Sequence, residues 1–417
     1  MPKKRLLYVV DHSFPYSSDG YAVRTHAVAQ SFMAMGYQVS VLSRLGRLWS
    51  RKGFAETYVP AEQHIDGVRY LFLAEPAQPK GLPYSAWKPR AVVAYREILS
   101  VFRPHLVIAA SNYENAEPVL AACDGALPFI YEVRGFWELT RASKKANYAQ
   151  SDAFLTAQAA EAYVAQHATR VLTLNAMMKA ELERRGVAGS RIALLPNCLT
   201  ELPSAGNARD WRRELGITAK VVCGYVGSLN SYEGLPYLLE ALAQLRSDGV
   251  DAAVVIVGSD AQQGFDQQQQ GLDSVQRRLR DHAEQLGVVE HLYFTGRLTP
   301  TETASIYPLL DLVVNPRMST PVTDLVSSLK SIEAMAHGKP LVLSAIPPHR
   351  ELHSQGAPVT LFAADDSQNL AQVLRQVIAD LPAYEPAQAI AWVRQHRLYQ
   401  PVLAALFEQA LADLPSP

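Results

Sequence analysis

Short apolar runs recur along the chain, each followed by a stretch with helical periodicity, and this alternation limits the fold more than any other feature. Residues 6–10 (LLYVV) are continuously apolar and end at a polar turn, the pattern of a strand buried on both faces. Residues 23–35 carry apolar side chains at helical spacing, and Gly36 stops them. Further strand-like runs fall at 39–42, 106–110, 129–133 and 171–174, with helix-like sequence between them. Such alternation implies a parallel sheet built from right-handed crossovers. Residues 199–220 are polar and broken by Pro203 and Gly206, as a linker would be. Beyond them the alternation restarts at 221–226, with a helix over 236–245 and runs at 252–257, 292–295, 312–315 and 341–343. The expectation is two doubly wound α/β domains in series, 1–198 and 199–388, facing each other across a cleft. A helix over 389–411 need not pack on the domain before it. The Gln-rich stretch 267–270 reads as a solvated helix or loop.

A length of 417 residues fits two domains better than one core. The net charge of −1 argues against a nucleic-acid binder with a broadly basic face. That balance hides an asymmetry, since the chain through Cys198 carries net +7 and the remainder net −8. Either the halves face different partners, or the charges are scattered over two solvated surfaces. No apolar run approaches the roughly 18–20 residues of a membrane span. Lys3, Lys4, Arg5 and the run after them mimic a signal peptide, but the run stops at Asp11 and no small-residue cleavage site follows. Cys123, Cys198 and Cys223 lack disulfide or metal spacing. A cytoplasmic, reduced protein without a metal or other cofactor is expected.

The segment NPRMSTPVTDLVSSLKSIEAMAHG, from Asn315 to Gly338, is the richest in chemistry. A strand ends at Asn315-Pro316, and Ser327 or Ser328 would cap a helix that Gly338 and Pro340 terminate. Lys330 then lies in the first turn, where the helix dipole disfavours a cation unless an anion docks there too. Glu333, three residues on, shares that face and would reach a ribose beyond the phosphate. The bland alternative is a solvated Lys330 paired to Glu333. In the first half, Arg134, Trp137 and Glu138 follow a strand end, where sugars are bound in such folds, with Glu132 just before them. Alternatively Trp137 is a core residue and Glu138 is solvated. His12 follows the first strand and either lines the same cleft or is structural. Arg24 lies on the next helix, where it would meet phosphate or acceptor. Arg44, Arg47, Arg51 and Lys52, interleaved with Leu45, Leu48 and Trp49, fit either contact with anionic lipid or an ordinary loop.

The stretch IEAMAHGKP, from Ile332 to Pro340, resembles the signature of family 4 glycosyltransferases, retaining enzymes of the GT-B fold. Ser18-Asp19-Gly20 is similar to the family's glycine loop facing the donor phosphates. Residues 175–197, 224–239 (GYVGSLNSYEGLPYLL) and 293–297 (YFTGR) resemble family segments in place and order. The chain departs from the pattern as well. The first of two glutamates separated by seven residues is replaced by Leu325, while the second matches Glu333. The usual diphosphate-binding arginine and lysine fall at Ser228 and Glu233, and a common histidine falls at Arg134. These changes resemble an exopolysaccharide- and exosortase-associated bacterial branch.

The resemblance implies two Rossmann-like domains, with the C-terminal segment 389–417 crossing back to the first. It implies that Arg317 and Lys330 supply the missing cations, with Arg134, and stabilise the leaving diphosphate. Gly20, Ser228, Arg297, Leu298, Ser327, Ser328 and Glu333 would bind the donor, Arg297 and Leu298 near the base. His12, Arg24, Trp137 and Glu138 would face the acceptor. The reaction implied is transfer from a nucleotide sugar to a saccharide, lipid-linked in many relatives, at the inner membrane face. An inactive sugar-nucleotide-binding scaffold and a sugar-nucleotide epimerase of the same fold are the alternatives. A dinucleotide oxidoreductase is disfavoured because no strand leads into GxGxxG.

Overall fold

The computed structural model describes all residues except 1–2, 18, 52–53, 55–57, 205–208, 261–270, 410–413 and 415–417. Ser18, Lys52, the Gln-rich stretch 267–270 and residues 410–411 of the expected final helix therefore lie outside the described residues. The chain divides into two compact units, one of residues 1–200 with 399–417, the other of residues 201–398.

The first unit is built on eight strands: β1 (Arg5–Val10), β2 (Gln38–Ser43), β3 (Glu62–Ile65), β4 (Val68–Leu71), β5 (Leu106–Ala110), β6 (Phe129–Val133), β7 (Arg170–Thr173) and β8 (Ile192–Leu194). Their order across the sheet is β3-β4-β2-β1-β5-β6-β7-β8. All pairs are parallel except β3 with β4, a hairpin whose turn residues Asp66 and Gly67 both have positive φ. The buried strands are the apolar runs of the sequence, and Leu6, Tyr8, Val10, Ile108, Ile130 and Leu172 pack in one core. Tyr399, Leu403 and Phe407 join that same core.

The second unit has six parallel strands: β9 (Val221–Val226), β10 (Ala252–Val257), β11 (Leu292–Gly296), β12 (Leu312–Asn315), β13 (Leu341–Ser344) and β14 (Thr360–Phe362). Their order is β11-β10-β9-β12-β13-β14, so chain direction across the sheet reverses between β9 and β12. In such sheets the crevice for ligands opens beyond the carboxyl ends of the two strands at the reversal. Leu238 and Leu242 of the helix Leu235–Ser247 pack with Val254, Ile256, Leu312 and Leu370 in the core of this unit.

Two expectations change. The single helix expected over 389–411 is two helices, Pro386–His396 and Tyr399–Gln409. The first packs on the helix Lys330–Ala336 within the second unit, and the second packs on the helix Gly20–Ala34 within the first. The return to the first unit thus begins at Tyr399, not Ala389. The basic stretch is also not a free lipid-facing loop. Arg44 is buried over Trp87 and donates to Glu114 at 3.0 Å and Gln78 at 2.6 Å. Arg47 donates to Asp11 at 3.0 Å and Arg51 to the Tyr16 carbonyl at 2.7 Å, while Leu45 and Leu48 are buried.

Candidate active site

Beyond β9 and β12, at the reversal point of the second sheet, three charged side chains meet. Lys330 is the first residue of its helix, as the spacing predicts, and its Nζ lies 2.7 Å from Glu233 Oε1. Arg317, just past β12, lies with its Nε 3.5 Å from Glu233 Oε2 and donates through Nη1 to the Val326 carbonyl at 2.9 Å. Glu233 is buried in the turn between β9 and the helix Leu235–Ser247. Burial pushes its carboxyl up, but Lys330 and then Arg317 outweigh that and hold it below the usual range. Lys330 is pulled down by burial, against the opposing effect of Glu233.

Local backbone makes room for this cluster. Gly227, directly after β9, has φ +148°, and a Cβ there would lie 2.1 Å from Lys330 Cε. Only glycine lets the lysine stem cross at that point. Gly234, at φ +70°, would bring a Cβ 1.9 Å from the Pro316 carbonyl oxygen, so it fixes the Glu233 turn against the end of β12.

Glu333 is half-buried on the same helix, and its carboxylate makes no hydrogen bond among the described residues. Burial raises its carboxyl above the ordinary range, with Lys330 opposing. Ser228 is exposed beside Gly227, and its carbonyl accepts from the Tyr225 hydroxyl at 2.8 Å. Arg297 and Leu298 are half-buried after β11. Ser327 and Ser328 do not cap the helix: Leu329 occupies the N-cap position and no side chain bonds there. The two serines sit in the loop before it, so a capping role is corrected.

The sequence reading passed over the interior partners of this site. Glu233 was only a lost lysine there, whereas in the fold it carries both cations. His349 is buried with Nδ1 2.8 Å from the Ser344 carbonyl oxygen, and burial followed by Arg317 pushes it down to about 3. Among the described residues its Nε2 has no hydrogen-bond partner, nor do Asn315 Oδ1, Ser344 Oγ and Arg317 Nε. An acid in SYEGL beside two unpaired cations in the other motif was the available signal for Glu233. His349 left none.

In the first unit, the residues expected to meet substrate fall into two groups. Gly20 opens the helix Gly20–Ala34, is exposed, and a Cβ there would meet nothing within 4 Å. His12, after β1, stands between Asp11 at 3.1 Å and Asp19 at 2.7 Å. Burial opposes its charge, but Asp19 and Asp11 prevail and raise it to about 10. It is thus a paired cation rather than a free imidazole. Trp137 is half-buried beside Tyr21, with its Nε1 buried and unpartnered.

Arg134, Arg24 and Glu138 require correction. Arg134 is buried and spends its donors on Glu132, the Tyr21 carbonyl, Thr25 and the Tyr8 hydroxyl. Arg24, also buried, donates to Glu132, the Leu195 and Pro196 carbonyls, Asn197 and Tyr399. Glu138 is buried against Arg185 at 2.6 Å. The physical reason is Glu132: a carboxylate inside a buried strand demands cations, and both arginines answer it. These three side chains organise the first unit and, being buried, present almost no surface to a substrate.

Residues 19–198 match the model for a glycosyl transferase 4-like domain, and residues 220–380 match that for glycosyl transferases group 1. Between them the two models match most of the chain, and its fold is that of the GT-B glycosyltransferases. A D-inositol 3-phosphate glycosyltransferase of Corynebacterium urealyticum is 31% identical over 173 residues. That match takes in 40% of this chain and only 38% of the relative's length. Among solved structures, sucrose-phosphate synthase from Thermosynechococcus elongatus superposes with TM-score 0.76 at 18% identity, covering 99% of this chain and 100% of that one. Anabaena HepE in complex with UDP-glucose superposes at 0.68 with 17% identity, covering 98% and 100%. At those identities the two structures establish the fold of this chain and nothing finer.

Proposed function

We propose that this chain transfers a glycosyl unit from a nucleotide sugar to a saccharide acceptor with retention of configuration, in cell-surface glycan synthesis of the exopolysaccharide type. The observation that carries the reading is the convergence of Arg317 and Lys330 at the strand reversal, one helical turn from a Glu333 carboxylate without a hydrogen-bond partner. A diphosphate suits the two cations, whose charge grows in value as the glycosidic bond breaks. A ribose diol suits Glu333, which gains two donors and loses its isolation. The solved relative bound to UDP-glucose supports a nucleotide-sugar donor.

Retention follows the family resemblance: the acceptor attacks the face the diphosphate leaves, and a phosphate oxygen takes the acceptor's proton. The reading gives the leaving-group charge to side chains and calls for no divalent cation. A lipid-linked acceptor fits the resemblance, and no helix among the described residues is long and apolar enough to cross a membrane.

The test is calorimetric titration of the chain with UDP, GDP, dTDP, CDP and ADP in EDTA, followed by turnover of the matching nucleotide sugar. One nucleoside diphosphate is expected to bind. Glu333→Ala should weaken it roughly tenfold or more, the cost of one to two hydrogen bonds to a charged group. Lys330→Ala should weaken the diphosphate and lower kcat. Full affinity and turnover in Glu333→Ala would remove the donor site from this place.

A further inference from the structure

We propose that Glu233 is a positioning residue of the donor site, a buried carboxylate that pins the Lys330 ammonium and the Arg317 guanidinium and removes one unit of positive charge from what an incoming diphosphate meets. This rests on the donor reading above. It goes further in giving the acid, and not only the cations, a defined part in the reaction.

The geometry carries the argument. Lys330 Nζ is 2.7 Å from one Glu233 oxygen, and Arg317 Nε is 3.5 Å from the other. That second oxygen and Arg317 Nε both lack hydrogen bonds among the described residues, so the pair is close in charge but open in bonding. Lys330 is confined besides, with its stem crossing the space Gly227 leaves and its Nζ 5.1 Å from the Tyr225 ring centre. Burial disfavours the charged form of such an ammonium, and a counter-ion favours it. The groups acting on it are Glu233 from the turn after β9, Arg317 from the end of β12 and Glu333 from its own helix. His349, on the helix Pro347–Ser354, feels the same cluster and is held neutral by burial and by Arg317. Glu233 is therefore the counter-ion that favours the charged form of Lys330. It also leaves Arg317, Lys330, Glu233 and Glu333 without net charge when all four are ionised.

Two consequences follow for Glu233→Gln. The amide keeps shape and some hydrogen bonding but loses the charge. At pH 6, where Lys330 is still protonated, the variant presents one more positive charge and should bind UDP several-fold more tightly, with a steeper fall in affinity as salt is raised. As pH rises, Lys330 should lose its proton earlier than in the parent chain, by about one to three pH units. The tighter binding should then disappear at a lower pH.

Two readouts separate this from the donor reading. The first needs no ligand: the pH at which Lys330 becomes half-reactive toward acetic anhydride, read by mass spectrometry of its peptide. It should fall in Glu233→Gln and return in Glu233→Asp, which restores the charge on a shorter stem. An unchanged midpoint overturns the proposal even if UDP binds. The second is UDP and inorganic pyrophosphate affinity from pH 6 to 10 by calorimetry. Uniform weakening in Glu233→Gln at every pH would mean a scaffold role only and overturns the proposal too. If the parent chain binds no nucleoside diphosphate while the Lys330 midpoint shifts, it is the donor reading that fails, and the part assigned to Glu233 in diphosphate binding falls with it. Should Glu233→Gln melt far below the parent chain, Glu233→Ser serves as the uncharged variant, both readouts are taken below its own melting temperature, and the same two results overturn the proposal.

Discussion

His12 holds its proton because Asp11 and Asp19 flank both ring nitrogens, and that fixes the sign of a pH effect on stability. Its value rises from an ordinary 6.5 to about 10 in the folded chain. Between those two values the folded state binds a proton that the unfolded state has lost, so stability must fall as pH rises. Below 6.5 both states carry the proton and the contribution of His12 is complete. His12→Gln should flatten the slope of the first unit's denaturant midpoint across that window. The change expected is about 1.4 kcal/mol per pH unit at most, since one proton is involved. Equal slopes in parent and variant would mean that the imidazole titrates normally. Another single residue, Glu132, explains why so much of the first unit was misjudged from sequence. A lone acid in FIYEV was visible, and its cost inside a buried strand was calculable in principle. What the sequence could not reveal is which arginines, 2 and 108 positions away, the fold would bring to it.

At the scale of elements, two glycines make contrasting demands. Gly227 is required by the fold, since any Cβ collides with the Lys330 stem and its φ is strained for other residues. Gly227→Ala should displace Lys330 and weaken nucleoside diphosphate binding roughly tenfold, with a lowered melting temperature. Gly20 sits in open space at a helix start, so Gly20→Ala should leave the melting temperature unchanged or slightly raised. Calorimetry and thermal melts of the two variants, side by side, test that contrast. The strands themselves were legible where they are apolar on both faces. Residues 106–110, 129–133, 221–226, 252–257 and 312–315 stand in the structure with the limits their hydrophobic runs gave. The hairpin of β3 and β4 was not read, because Glu62, Gln63 and His64 are polar and the strand is an edge. Its Asp66-Gly67 turn was the signal available. The helix at 389–411 failed for a different reason. Periodicity continues through it, but Ala389, Trp392 and Val393 are buried within the second unit while Tyr399, Leu403 and Phe407 enter the core of the first. A hydrophobic period says that a face is buried, not in which core.

At the scale of the whole molecule, that last helix makes the first unit depend on residues made after the second. Phe407 packs edge-on to Phe32, with ring centres 5.7 Å apart, and lies near Tyr37. The Tyr399 hydroxyl accepts from Arg24, which also carries Glu132 and the carbonyls around Pro196. Removing the aromatic ring at 407 should therefore destabilise the first unit by about 3–5 kcal/mol, the usual cost of deleting a buried aromatic. The second unit has its own core, from Cys223 to Leu374, to which Phe407 contributes nothing. Hydrogen exchange resolved by peptide is the measurement, because a single melting temperature is poorly defined for a two-unit chain. In Phe407→Ala, peptides of β1, β2 and β5 should lose protection while those of β9, β10 and β12 keep theirs. A nucleoside diphosphate added to the same variant should raise protection around Gly227, Arg317 and Lys330, because a ligand stabilises the state that binds it. Loss of protection in both sheets together would mean that the chain unfolds as one cooperative body. Deleting residues 399–417 gives the same test a larger signal. The first unit should then fail to hold its fold even though every strand of its sheet is still present.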